Sequence, residues 1–221
     1  MSRSITRFGN LNKVFKNGDS DLLNEIGALC IIFEDFRHEF ASLMKLVPDP
    51  NEKEPVIEVH KALYYVRRSL ITLEEARARL HAISTNNEFR AGKDWIPERF
   101  YSKVIAARRF INKNVVLSNF RNYMGAHVDP EKVVQSSIRY LGPNAVASIG
   151  WDGATRTDFA LKLDFVHYIL EGAMASNLPG GVETLGDELP RFMDVMNKAF
   201  VHLADATFSL VYVFLWDKFG A

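Results

Sequence analysis

Apolar side chains recur every three or four positions along most of this chain, and polar side chains fill the positions between them. That spacing gives a helix one buried stripe, whereas a half-buried strand would alternate at every second residue. The pattern predicts long helices over 21–46, 59–80, 97–111 and 189–214. We therefore predict an all-α bundle of long amphipathic helices. The stripe of the first helix is Leu22, Ile26, Leu29, Phe33, Phe36, Phe40 and Leu43.

The other long helices carry stripes of the same kind. The second has Val59, Leu63, Val66, Leu70, Leu73 and Leu80, and the third has Phe100, Val104, Ala107 and Ile111. The last has Leu189, Phe192, Met196, Ala199, Leu203, Ala206, Leu210 and Phe214. From Ala206 onward this last helix is apolar on nearly every side. A helix of that kind lies either at the centre of a bundle or in a subunit interface.

The segments between the helices are polar or contain residues that break helices. Residues 84–97 are polar and predict a loop, and the asparagines and glycine of 112–130 predict breaks in a helix. The tripeptide at 151–153, Trp-Asp-Gly, is a tight-turn signal that is compatible with one short β-hairpin near 144–157. Another helical stripe begins at Phe159.

The net charge, the cysteine count and the first twenty residues exclude some classes of protein. Lys plus Arg equals Asp plus Glu at 27 each, which argues against binding nucleic acid through the overall charge but leaves room for a local basic groove. Cys30 is the single cysteine, so neither an intramolecular disulfide nor a cysteine-based zinc site can form. Residues 1–20 are polar and have no apolar run like that of a signal peptide, so we expect a cytoplasmic protein. We also predict that residues 1–20 form an extension and that 21–221 form one domain.

The most informative chemistry lies within twelve residues, Ser118 to Asp129. Arg121 offers a planar guanidinium that matches phosphate oxygens, and Asn122 directly after it can donate and accept hydrogen bonds. His127, after five intervening residues, titrates near neutral pH and can give or take a proton. Cleavage of RNA without a metal needs these functions, because the 2′-hydroxyl loses a proton, the phosphate charge is neutralised and the 5′ oxygen gains a proton.

This arrangement, an arginine followed by asparagine, a four-residue spacer and a histidine, resembles the motif of HEPN-domain proteins. The resemblance implies a helical bundle that is usually a homodimer, in which the two motifs face each other across a cleft. It also implies metal-independent endoribonuclease activity, as in toxins and phage-defence effectors, with Arg121, Asn122 and His127 as the catalytic residues and an antitoxin or regulatory protein as a partner. RNA fragments with 2′,3′-cyclic phosphate ends are the expected products.

A local surplus of positive charge leads into the motif. Between Arg90 and Arg121 there are eight basic and two acidic residues. We predict that five of them guide the RNA backbone: Arg99, Lys103, Arg108, Arg109 and Lys113. The alternative interpretation is a solvated helix face without a ligand.

A second function remains open beside the enzyme. Arg121 can simply pair with an acidic side chain, and His127 can cap the end of a helix. The chain would then be a non-catalytic helical interaction or scaffold module, either an inactive HEPN-like protein or an antitoxin-like subunit. Glu34 and His38 share one helix face, but no matching pair occurs elsewhere, so we predict no metal site. We also predict no cofactor and no membrane span.

Overall fold

The computed structural model describes six stretches of the chain, most of them helical. They are residues 21–46, 59–94, 96–118, 149–152, 160–163 and 185–217. The helices are α1 (Asp21–Met44), α2 (Val59–Thr85), α3 (Asn87–Ala91), α4 (Glu98–Lys113) and α5 (Leu185–Leu210). A short 3₁₀ turn (Gly92–Asp94) follows α3, and a π-helical turn (Val211–Asp217) continues α5. The predicted all-α fold class is confirmed.

Burial follows the stripes that the sequence predicts. In α1 the side chains of Leu22, Ile26, Leu29 and Phe36 are fully buried, whereas Ile31 on the opposite face is 67% exposed. The buried residues of α4 are the four predicted ones, Phe100, Val104, Ala107 and Ile111. The apolar spacing therefore determines which face of each helix turns inward, since only that face offers a continuous hydrophobic surface.

The chain divides into two compact units that are not contiguous in sequence. The first unit consists of Met1–Phe36, Glu75–Asn112 and Lys198–Ala221. The second consists of Arg37–Glu74 and Lys113–Asn197. Helices α1, α2 and α5 contribute residues to both units.

Within the first unit, four helices form a ring of neighbours in the order α1, α2, α4 and α5. The contacts that join them are Arg79 to Glu25 at 3.1 Å, Arg108 to His81 at 3.2 Å, Phe100 to Tyr212 at 5.3 Å between ring centroids, and Phe33 to Phe200 at 5.7 Å. The last of these returns from α5 to α1 and closes the ring. This arrangement is a helix bundle, in which each of the four helices contacts two neighbours.

The predicted loop at 84–97 is wrong in its middle, where α3 forms. Asn86 has an extended backbone, and its side chain accepts hydrogen bonds from the backbone N–H groups of Glu88 and Phe89. This is the geometry of a helix N-cap, which satisfies donors that the first turn leaves unpaired. Phe89 then turns inward and stacks on Tyr101 with 5.0 Å between ring centroids. A helix of five residues is too short to show the periodicity by which helices are recognised.

We predict that Asn86→Ala lowers the free energy of unfolding by about 1 kcal/mol, because alanine cannot accept the two capping hydrogen bonds. Asn87→Ala is the matched control, since Asn87 is exposed and is not the cap. Urea denaturation of both variants measures the difference. Equal stability of the two variants would contradict the capping role.

A two-stranded antiparallel hairpin lies in the second unit. It pairs β1 (Ile149–Asp152) with β2 (Ala160–Leu163), and Ile149 stands opposite Leu163. The hairpin therefore extends beyond the predicted range of 144–157, and Trp151 and Asp152 belong to a strand rather than to the turn. The predicted start of a helix at Phe159 is also wrong over 160–163, because pairing with β1 gives these residues their hydrogen-bond partners.

The apolar end of α5 is mostly buried within the chain. Leu210, Val213 and Phe214 are each 1% exposed, and Ala206 is fully buried. Phe208 is the exception in this stretch, with 62% of its surface open to solvent. Of the two positions left open for this segment, the structure favours the centre of a bundle for its buried residues. Among the described residues, no helix combines the length and apolarity that a membrane span requires.

Candidate nucleic-acid interface

Helix α4 carries all five residues predicted to bind RNA, and its buried stripe determines where each one lies. Successive residues of a helix are rotated by about 100°. Arg109 and Lys113 therefore fall on the side opposite the stripe, and both are exposed, as is Arg99. Lys103 and Arg108 border the stripe on its two different edges and are half-buried. The five cations thus surround the helix rather than forming a single row.

The two cations at the edges of the stripe have partners on neighbouring helices. Lys103 Nζ lies 3.1 Å from a carboxylate oxygen of Asp205 on α5. Both side chains are more than 40% exposed, so this ion pair contributes less than about 1 kcal/mol to stability. The ion pair matters more for the local charge than for stability, because the Asp205 carboxylate neutralises the positive charge of Lys103.

Arg108 lies 3.2 Å from Nδ1 of His81 on α2. A guanidinium carries only donors, so Nδ1 of the His81 imidazole is the acceptor in this hydrogen bond. This pair brings together the two side-chain types that the motif also combines, but at an exposed position between α2 and α4. Sequence reasoning missed it because the partners are 27 positions apart.

The motif residues Arg121, Asn122 and His127 lie outside the described residues, so their relative positions stay predictions. The structure does describe the approach to them. Helix α4 ends at Lys113, and the side chain of Asn114 accepts a hydrogen bond from the backbone N–H of Leu117 at 3.1 Å. A new helical turn then runs over 115–118. The predicted helix break between 112 and 130 is confirmed at Asn114.

Aromatic rings line the contact between α4 and the C-terminal part of α5. Phe208 stacks on Tyr212 with 6.1 Å between ring centroids, and Tyr212 packs against Phe100 at 5.3 Å. The guanidinium carbon of Arg99 lies 4.7 Å from the centroid of the Phe100 ring. We call these four side chains the aromatic ladder. Tyr212 belongs to the π-helical turn, a rare conformation that often occurs at functional sites.

A buried polar cluster lies in the second unit, where α1 and α2 meet. Glu39 is only 9% exposed, and its carboxylate accepts hydrogen bonds from Thr72 Oγ1 at 2.8 Å and from Arg68 Nε at 3.2 Å. A buried carboxylate needs such donors, because it has lost its hydration. The cluster accounts for the presence of Glu39 in the core, so we assign it to stability rather than to catalysis.

Two further observations concern the reactive side chains among the described residues. Burial raises the pKa of the Cys30 thiol, which keeps it protonated and poorly nucleophilic at neutral pH. Within the ranges that the structure describes, no three side chains of His, Cys, Asp or Glu come close enough together to hold a metal ion. In comparisons with protein-family models, curated proteins and solved structures, the chain matched none of them.

Proposed function

We propose that this protein is a cytoplasmic, metal-independent endoribonuclease of the HEPN type. The sequence from Arg121 to His127 is the observation that carries the proposal, because it combines a phosphate-binding cation with a titratable imidazole at the spacing of that family's motif. Two structural features support it. The long amphipathic helices agree with the helical bundle that the resemblance implies, and α4, which precedes the motif in sequence, carries exposed cations.

In the proposed reaction the 2′-hydroxyl of a ribose loses its proton and its oxygen attacks the adjacent phosphorus. The bond from phosphorus to the 5′ oxygen breaks, and that oxygen takes up a proton. His127 acts as the general base or general acid, because an imidazole can both take up and release a proton near neutral pH. Arg121 neutralises the charge that develops on the phosphate, and Asn122 positions the phosphate or the ribose. The fragments end in a 2′,3′-cyclic phosphate and a 5′-hydroxyl.

The proposed biological setting is a toxin or a phage-defence effector that acts as a homodimer. We propose that the dimer forms through the motif segments of two copies, since burial of Ala206, Leu210 and Phe214 within one chain leaves less of α5 for an interface. An antitoxin or another regulatory protein is the proposed partner, because an unrestrained ribonuclease would damage the cell that makes it.

The direct test is an RNA cleavage assay with the purified full chain in the presence of a chelator. We expect cleavage to persist in the chelator, because arginine and histidine supply the charge and proton transfer that a metal would otherwise provide. The 3′ ends of the fragments are then treated with a phosphatase that removes only phosphate monoesters, before and after mild acid. A cyclic phosphate resists the phosphatase at first and becomes sensitive once acid has opened its ring, whereas a 3′-hydroxyl end carries no phosphate in either case. Loss of cleavage in the chelator, or fragments with 3′-hydroxyl ends, would refute the proposed reaction.

A non-catalytic interaction module is the second candidate. The exposed apolar side chains Val201 and Phe208, on one face of α5, favour it, since such residues also serve protein contacts. This candidate predicts that the wild type is as inert toward RNA as a variant without His127. Assays with and without a co-expressed regulatory protein separate an inactive protein from a restrained enzyme.

A further inference from the structure

The aromatic ladder is more than a packing contact, because one end of it is open to solvent. Phe208 is 62% exposed, whereas Phe100 at the other end of the three rings is 9% exposed. Phe208 and Val201 are seven positions apart and therefore share the outer face of α5, opposite its buried stripe. The core of the first unit does not need a ring at this position, since the buried stripe of α5 is complete without it.

The side chains of the ladder stack one after another in space. Phe208 is followed by Tyr212, Tyr212 by Phe100, and Phe100 by the guanidinium of Arg99. The Phe208 and Tyr212 rings are inclined by only 25°. A partner ring placed on the open side of Phe208 would continue this series, because aromatic side chains favour offset stacking at such distances.

Positive charge lies beside the ladder along α4. Arg99 ends the ladder, and Arg109 is exposed farther along the helix. The rise of about 1.5 Å per residue separates Arg99 from Arg109 by about 15 Å. Asp205 is an acidic side chain at this contact, and its pairing with Lys103 offsets its repulsion of an anion. A polyanion with flat bases fits this combination better than an apolar protein surface does.

We propose that the aromatic ladder is a base-stacking platform for single-stranded RNA, on which an unpaired base stacks against Phe208 while neighbouring phosphates contact Arg99 and Arg109. The choice of RNA rests on the proposed function. Stacking on a π face is sequence-tolerant, so the platform holds a strand in place without selecting its sequence. It lies in the first unit and consists of described residues, separate from the motif.

The test measures the affinity of the full chain for a fluorescein-labelled oligouridine by fluorescence anisotropy. All variants carry His127→Ala, so that the oligonucleotide is not cleaved. Phe208→Leu keeps an apolar side chain but removes the π face, and we expect it to weaken binding about ten-fold. Phe208→Trp restores a π face and should restore the affinity. Val201→Ser is the matched control on the same helix face, with unchanged affinity as the expected result.

Salt titrations separate stacking from phosphate contacts. Phe208→Leu should leave the slope of log Kd against log salt concentration unchanged, because no ionic contact is lost. Arg109→Gln should reduce the magnitude of that slope by about 0.7, the value for one phosphate contact on a single strand. The two substitutions therefore have different signatures, although both weaken binding.

Four outcomes would overturn the platform. They are no measurable binding of the oligonucleotide, unchanged affinity after Phe208→Leu, equal weakening by Val201→Ser, and a change in oligomeric state after Phe208→Leu without any change in RNA affinity. The last outcome assigns this face to contact between two copies of the chain. The tests are independent of the proposed catalysis, because a protein that binds through Phe208 but never cleaves refutes the ribonuclease alone. A protein that cleaves but binds equally well without Phe208 refutes the platform alone.

Discussion

Replacing His127 by alanine is expected to lower the rate of RNA cleavage by about 10²- to 10⁴-fold, the range for loss of a general acid or base. The imidazole is the group in the motif that titrates near neutral pH, and Arg121 and Asn122 cannot take over proton transfer at that pH. The rate is measured under single-turnover conditions, so that product release does not mask the chemical step.

His81→Ala is the matched control for this substitution. It removes another imidazole, an exposed one that pairs with Arg108 on α4 and is distant in sequence from the motif. Cleavage at the wild-type rate is expected for this variant. If the two variants cleave RNA equally well, the assigned role of His127 is refuted. Equal and complete loss in both would instead move the chemistry toward the Arg108 and His81 pair.

Replacing Phe36 by alanine is expected to lower the free energy of unfolding by about 3–5 kcal/mol. The side chain is fully buried, and its ring lies 6.2 Å from that of Phe200 on α5. Truncation removes the buried apolar surface and leaves a cavity that the surrounding helices fill only in part. Urea denaturation monitored by far-ultraviolet circular dichroism measures the change.

The control is Ile31→Ala in the same helix. Ile31 is 67% exposed, so its truncation should change the stability by no more than about 0.5 kcal/mol. The comparison tests the orientation of α1 directly, because both positions have helical backbones and lose large apolar side chains. A larger loss at Ile31 than at Phe36 would mean that the buried face of α1 is assigned incorrectly.

The helices were predictable because their information is local. A buried stripe at three- and four-residue spacing appears within one stretch of sequence, and α1 and α4 bury the residues that the spacing indicates, apart from Phe33 of α1, which is half-buried. Helix α3 escaped prediction because five residues cannot display that period, and its formation depends on Asn86 as a cap and Phe89 as a buried anchor. The spacing wrongly predicts a helix over 160–163, because the paired strand lies 8 to 14 positions earlier in the chain.

Part of the chemistry of the candidate site could also be predicted from the sequence. The types of residue in the motif, and the surplus of arginine and lysine in α4, are properties of the sequence itself. The partners of the cations in α4 cannot be predicted in the same way. Lys103 pairs with a residue 102 positions away, and Arg108 pairs with one 27 positions away. The motif residues themselves remain predictions from the sequence.

The amino-acid sequence by itself determined that this chain forms long amphipathic helices, which of their faces are buried, and which side chains have the means to bind phosphate and transfer protons. Only the tertiary structure decided which cations are neutralised, that Phe208 is exposed at the end of a stack of rings, and that Glu39 is held in the core by Thr72 and Arg68. The reason is physical. Periodicity acts between neighbours along the chain, whereas ion pairs, ring stacking and the burial of a carboxylate depend on helices that meet only after folding.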